Sequence, residues 1–333
     1  MDDFRYTYAV ARIHALDATL LDKAFASRMI AAEPDEILRM LGETVYGENL
    51  ATVENPWQVE RALIRELGKT YDLLEKICPD KELIRLFRAR YDFHNLKAML
   101  KSRITEIAHA DSVVDLGTCN IGELSAAVRE NDYRSIPEHL RDAALKAQTE
   151  YDNVRRLESI SYSCDRSMWE FMMTKARKQR NKIVTNLFRE YINLTNIKTF
   201  FRTGEAGDDV KAFERYFIPG GSYTIDFFLH LMDEKLGLFL DHLTKTHYER
   251  PVVSEGLMTW PEEKSFWRLE VACDNFILQQ FHEMRMKLFS IAPLIYFLLR
   301  KIAETRLIRA IMRCKSVGMG RTEIEERLRY LYV

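Results

Sequence analysis

Two stretches of this chain repeat each other without a gap: LFRARYDFHNLKAMLK from Leu86 and LFREYINLTNIKTFFR from Leu187. A third, more diverged copy, LLRKIAETRLIRAIMR, begins at Leu298. In the first copy the apolar residues Leu86, Ala89, Phe93, Leu96 and Leu100 fall three and four apart, and in the second Leu187, Leu194, Ile197 and Phe201 repeat that face. Leu298, Ile308 and Met312 continue the pattern in the third. That spacing puts them on one helical face. A repeated helix restricts the chain to a repetition of helical units. Composition agrees: 13 Gly and 8 Pro in 333 residues are too few to break many elements, and 30% charged residues suit solvated helix faces. The fold expected is all-α.

Each repeated helix is followed by a glycine-bearing turn and a short amphipathic helix. Gly117 leads to IGELSAAV, Pro219-Gly220-Gly221 to YTIDFFLHLM, and Gly318/Gly320 to TEIEERLRYLYV. Upstream, Ser163-Cys164-Asp165 and Ala272-Cys273-Asp274 sit at similar distances before the second and third copies, where each is expected to open a helical stretch. Three units follow: 1–150 with an insertion over about 30–80, then 151–255, then 256–333. The polar stretches 150–153 and 249–263 read as their linkers. Asp80, after Pro79, is the expected N-cap of the first repeated helix.

Residues for catalysis or metal binding are missing from this pattern. PGGS and GMGR lack the Gly-Lys-Ser/Thr spacing that cradles phosphates. His282-Glu283 begins like a zincin helix, but Met286 stands where the second ligand belongs. His242 and His247, five apart, share a helix face poorly, and Glu262-Glu263 and Glu325-Glu326 read as solvated helix ends. The five cysteines, Cys78, Cys119, Cys164, Cys273 and Cys314, are odd in number and form no CxxC, so reduced thiols are expected. No catalytic site, cofactor or metal is expected, and no membrane span, because the longest apolar run is Ile291–Leu299. A net charge of −1 provides no global attraction to nucleic acid or anionic lipid.

Charge is patterned locally. Cations crowd the repeated helices: six against Asp92 alone over 85–103, eight against Glu190 alone over 175–202, and six against Glu304 alone over 300–315. Lys97, Lys198 and Arg309 occupy one equivalent position, as do Lys101, Arg202 and Arg313. These six are the candidate partner-contact residues; an ordinary solvated face is the alternative reading. Arg88, Arg189 and Arg300, each four residues before Asp92, Asn193 and Glu304, are expected to hold each unit together. A basic helical-repeat nucleic-acid binder and an enzyme with a spatially assembled site are the rival readings.

The run YDFHNLK over Tyr91–Lys97, FIPGG over Phe217–Gly221, the opening YTYAVARIHALDATLLDKAF and the ending EIEERLRYLYV resemble the C subunits of V/A-type ATPases, homologues of the eukaryotic Vo d subunit. The likeness runs over almost the whole chain. It implies a non-catalytic rotor part: a funnel of three helical domains about a pseudo-threefold axis, joining central-stalk subunits to the membrane rotor ring. Through it, ATP hydrolysis or synthesis is coupled to proton or sodium transport. The expected location is the cytoplasmic side of the membrane, peripheral and held through the complex, with no nucleic-acid partner.

Overall fold

The computed structural model describes residues 3–51, 53, 55, 58–107, 112–205, 210–232, 236–257, 260 and 266–328. Among them every regular element is helical, with no strand. Besides two 3-10 turns (Phe4–Tyr6 and Asp17–Thr19), these are in chain order α1 (Thr7–Leu16), α2 (Lys23–Ala31), α3 (Pro34–Gly42), α4 (Gly47–Leu50), α5 (Val59–Ile77), α6 (Lys81–Thr105), α7 (Ile121–Glu130) and α8 (Glu138–Val154). Then come α9 (Leu157–Lys178), α10 (Lys182–Glu205), α11 (Val210–Tyr216), α12 (Ile225–Met232) and α13 (Leu236–Thr244). A π-helical turn (Glu249–Ser254) precedes α14 (Trp267–Met284), α15 (Ala292–Ser316) and α16 (Arg321–Leu328). The three repeated segments lie inside α6, α10 and α15, and the short helices expected after them are α7, α12 and α16.

The local chemistry explains these helices. Asp22, Asn120 and Thr224 each turn a side-chain oxygen back to the backbone N–H three residues on, capping α2, α7 and α12. Pro34 stands in the first turn of α3 beside Asp35 and Glu36, where a missing N–H is harmless and negative charge faces the positive helix end. Two sequence readings shift. Residues 150–153 are not a linker but part of α8, which runs on to Val154 and stops at Arg155 in the left-handed region (φ 56°). Their polar side chains are compatible with a helix that keeps one face in water. Cys164 and Cys273 lie well inside α9 and α14, buried, rather than opening those helices. Asp80 stands immediately before Lys81, the first residue of α6, where the cap was expected, and its carboxylate accepts a hydrogen bond from the Tyr6 hydroxyl at 2.7 Å. Glu262 and Glu263, and the side chain of Glu326, lie outside the described residues.

The chain forms two compact units, residues 1–84 with 247–333, and residues 85–246. In the first, both ends of the chain share one core. Met29, Ile37, Leu41, Tyr46 and Leu63 from the α2–α5 region pack with Leu307, Ile308, Ile311 and Met312 of α15 and Ile324 of α16. In the second, α8 and α9 lie side by side, and α9 packs against α10. Trp169 meets Phe188 at 5.9 Å, and Phe200, Phe213, Phe228 and Phe239 form a contiguous ring cluster. Such rings contribute heavily to a core's apolar burial.

One core contact of this second unit is sensitive to acid. His139 stacks on Phe171 with centroids 4.0 Å apart, its Nε2 buried without a hydrogen-bond partner. Burial first, and the nearby Lys175 second, push its pKa down to about 4 from 6.5. A base whose folded pKa lies below its unfolded value stabilises the fold above the unfolded pKa, and that contribution is lost as pH falls. The unit is therefore expected to lose stability through this residue as pH falls from about 6.5 to about 4. His139→Phe should flatten that slope in urea titrations. An unchanged slope would mean that the imidazole accepts its proton in the folded state.

Candidate functional site

The repeat has a structural counterpart that periodicity alone does not reveal. On α6, Asp92 is fully buried and accepts hydrogen bonds from Thr118 N at 2.8 Å, Cys119 N at 2.9 Å and Thr118 Oγ1 at 2.6 Å. One turn on, Asn95 clasps Val114 on both sides, Oδ1 accepting from its N–H and Nδ2 donating to its carbonyl. Arg88 Nε donates to Leu116 O at 3.0 Å. On α10 the arrangement recurs in the same register: Asn193 Oδ1 accepts from Ser222 N and its Nδ2 donates to Ser222 Oγ, while Asn196 brackets Ile218 N and O. A polar side chain buried inside a helical core demands such partners. Here the partners are the loops leading to α7 and α12.

These clasps explain the glycines. A Cβ at Gly117 would collide with the Asp92 carboxylate, and one at Gly221 with the Asn193 amide oxygen. The loop approaches so closely that only glycine fits.

The third helix departs in an informative way. Glu304 of α15 accepts from Leu21 N at 2.6 Å and from the Tyr46 hydroxyl at 2.6 Å. The loop it clasps therefore lies 283 residues earlier and leads into α2. The register is the same: Leu21 precedes the cap Asp22 as Cys119 precedes the cap Asn120. Glutamate is one methylene longer than aspartate, and Thr19 stands where the first loop has Gly117. The Asn95 position is Leu307, buried in the apolar core. Glu304 also meets Lys301 Nζ at 2.7 Å, and Lys301 lies 3.7 Å from Glu66, which accepts from Asn49 Nδ2 at 3.1 Å. The ammonium sits 4.4 Å from the centroid of the Tyr46 ring. Lys301 is 2% exposed and Glu304 6%, so the cluster is out of water. Burial pushes the Glu66 carboxyl up, against the pull of Lys301.

The remaining sequence candidates divide. Lys97 is half-buried and binds Asp165 of α9 at 2.8 Å. Arg309, at the equivalent position, grips both oxygens of Glu60 on α5 at 2.7 and 2.6 Å. Arg189 donates to Asn186 at 3.0 Å, and the Arg300 guanidinium lies over the Tyr296 ring at 5.8 Å. Lys101 and Lys198 are partly exposed, and Arg202 and Arg313 exposed. Sequence reasoning named Asp92, Asn193 and Glu304 but missed the groups they hold. The signal available for the third loop was the cap at Asp22, placed before its helix as Asn120 and Thr224 are before theirs.

Among the described residues no helix is long and apolar enough to cross a membrane. No group of three or more His, Cys, Asp and Glu side chains among them could hold a metal. Fold and site thus define a class: an all-helical protein whose polar interior groups serve to lock loops onto repeated long helices. The chain belongs to the ATP synthase (C/AC39) subunit family, whose model it matches over residues 9–327. It is 28% identical to the C subunit of an A-type ATP synthase from Thermococcus gammatolerans, over 96% of this chain and 89% of that protein. The corresponding A-type ATP synthase C subunits of Methanocaldococcus jannaschii and Methanosarcina acetivorans are 23% and 25% identical, each over 97% of this chain and over 86% and 92% of their own lengths.

Proposed function

We propose that this chain joins the central stalk of a V/A-type rotary ATPase to its membrane rotor ring, so that torque passes through it and catalysis lies elsewhere in the complex. The observation that carries this reading is family membership over nearly the whole chain. The clasps support it. A part that transmits torque must not let its loops slide, and buried hydrogen bonds from each long helix resist that. The same reading keeps three copies, drawn as 1–150, 151–255 and 256–333, about a pseudo-threefold axis. It adds that the third copy takes its clasped loop and short helix from the start of the chain. Lys97 and Arg309 would reach a partner only by leaving Asp165 and Glu60, so they serve partner contact less well than Lys101 and Arg313.

The test is reconstitution. Membranes carrying the rest of the complex but lacking this subunit should show ATP hydrolysis without ion transport. Adding the full chain should restore ATP-driven transport together with its sensitivity to a blocker of the rotor ring. Full coupling in the depleted membranes would end the proposal.

A further inference from the structure

The end of α9, the turn after it and the start of α10 carry five cations in eight residues: Lys175, Arg177, Lys178, Arg180 and Lys182. All five are exposed. Lys175 leans over the Phe171 ring at 5.5 Å, and among the described residues Arg177, Lys178, Arg180 and Lys182 make no ion pair. Acids of the adjoining helices are already engaged: Glu170 with Arg166 at 3.0 Å, and Glu138 and Asp142 each with Arg141 at 3.8 Å.

The fold itself gives no reason for such crowding. A cation or two in the last turn of α9 complements the negative end of that helix, with about 0.3–1 kcal/mol each. Further like charges within one turn of each other repel by a few tenths of a kcal/mol per pair, so the remainder cost stability. The geometry is fixed. Gln179 N bonds back to Lys175 O at 3.1 Å, Arg180 adopts φ 54°, and Asn181 caps α10 by accepting from Val184 N at 3.1 Å. Two long helices thus hold the cations on a stiff tip, and no large exposed apolar side chain occurs in its sequence.

We infer that this tip, Arg177, Lys178 and Arg180 above all, docks on an acidic protein surface of the rotor with which the subunit turns. The inference rests on the coupling role proposed above and names its contact. A preset arrangement of guanidinium and ammonium groups suits carboxylates fixed in a protein. A fluid lipid leaflet needs no such geometry, and the tip has no apolar side chain to insert into one. A partner that turns with the subunit keeps one set of contacts in place throughout the cycle.

The test compares the wild-type full chain with Arg177→Glu/Lys178→Glu, and with that pair plus Arg180→Glu. Binding is measured to membranes carrying the complex without this subunit, and to protein-free phosphatidylserine–phosphatidylcholine vesicles. Circular dichroism of both variants should match wild type, because all three side chains are in water. The double variant should bind the complex-bearing membranes about tenfold more weakly at low salt, and the triple variant more weakly still, with the gap closing as salt rises. Neither wild type nor variant should bind the vesicles. Equal binding by variant and wild type would overturn the inference alone. Equally tight wild-type binding to the protein-free vesicles would overturn it in favour of anionic lipid. Failure of the wild type to bind the depleted membranes would instead overturn the coupling role on which it rests.

Discussion

Lys301→Met is expected to lower the unfolding free energy of the unit formed by the two chain ends by about 3–5 kcal/mol, the cost of leaving buried charges without their partner. The substitution removes the cation around which this cluster is built. Glu304, 2.7 Å from the ammonium, and Glu66, 3.7 Å from it, would then face each other's charge out of water. Tyr46, Leu21 N and Asn49 would still donate to them, but neutral donors do not cancel two negative charges. Adding Glu304→Gln to Lys301→Met should restore about 1 kcal/mol or more of that loss, roughly the coupling expected for groups in one network. A glutamine oxygen can still accept from Leu21 N, and it carries no charge. Urea unfolding followed by hydrogen exchange over 20–31 and 59–77 reads the effect where it occurs, without assuming that both units melt together. A loss below about 1 kcal/mol would mean that the cluster is hydrated or neutral and holds nothing together.

The second large effect concerns the first clasp. Gly117→Ala should destabilise the other unit by about 2–4 kcal/mol, because the new methyl group occupies the space of the Asp92 carboxylate and forces either loop or helix to move. Asp92→Ala should cost a similar amount through a different route. It leaves two backbone N–H groups and the Thr118 hydroxyl without their acceptor, at about 1–3 kcal/mol for each buried group that water cannot reach. Asp92→Asn should be mild, below about 1.5 kcal/mol, a volume-conserving exchange. The second clasp shows why. Asn193 accepts from Ser222 N through Oδ1 and donates to Ser222 Oγ through Nδ2, and the substituted amide could treat Thr118 the same way. Urea midpoints and exchange protection of residues 114–119 give the ranking. If asparagine proved as damaging as alanine, charge rather than hydrogen-bond geometry would hold the loop.

The helices were legible in the sequence because their cause is local. Three- and four-residue apolar spacing, a capping oxygen three residues before an N–H, and the scarcity of glycine and proline act within a turn or two of the chain. The gapless repeat likewise located α6, α10 and α15, and their polar positions at Asp92, Asn193 and Glu304, before any fold was known. Even the glycines at 117 and 221 could be placed in turns from the sequence, although the reason for them could not. That reason is a carboxylate or amide arriving from a helix more than twenty residues away.

What the sequence determined by itself was the all-helical class, the repeated unit and the resemblance to the V/A-type C subunits; the tertiary structure decided which partner each polar side chain meets. Glu304 holds Leu21 rather than the turn at Gly318, since the helices from both chain ends bury their apolar faces in one core and bring residues 283 apart into contact. Lys97 and Arg309 look like free surface cations by spacing, yet they bind Asp165 and Glu60 because α9 and α5 each bring an acid up against them. Periodicity specifies which face of a helix is buried. Only the packing of that face on another fixes which charges are paired within the molecule and which, like those at the tip between α9 and α10, remain in water for a partner.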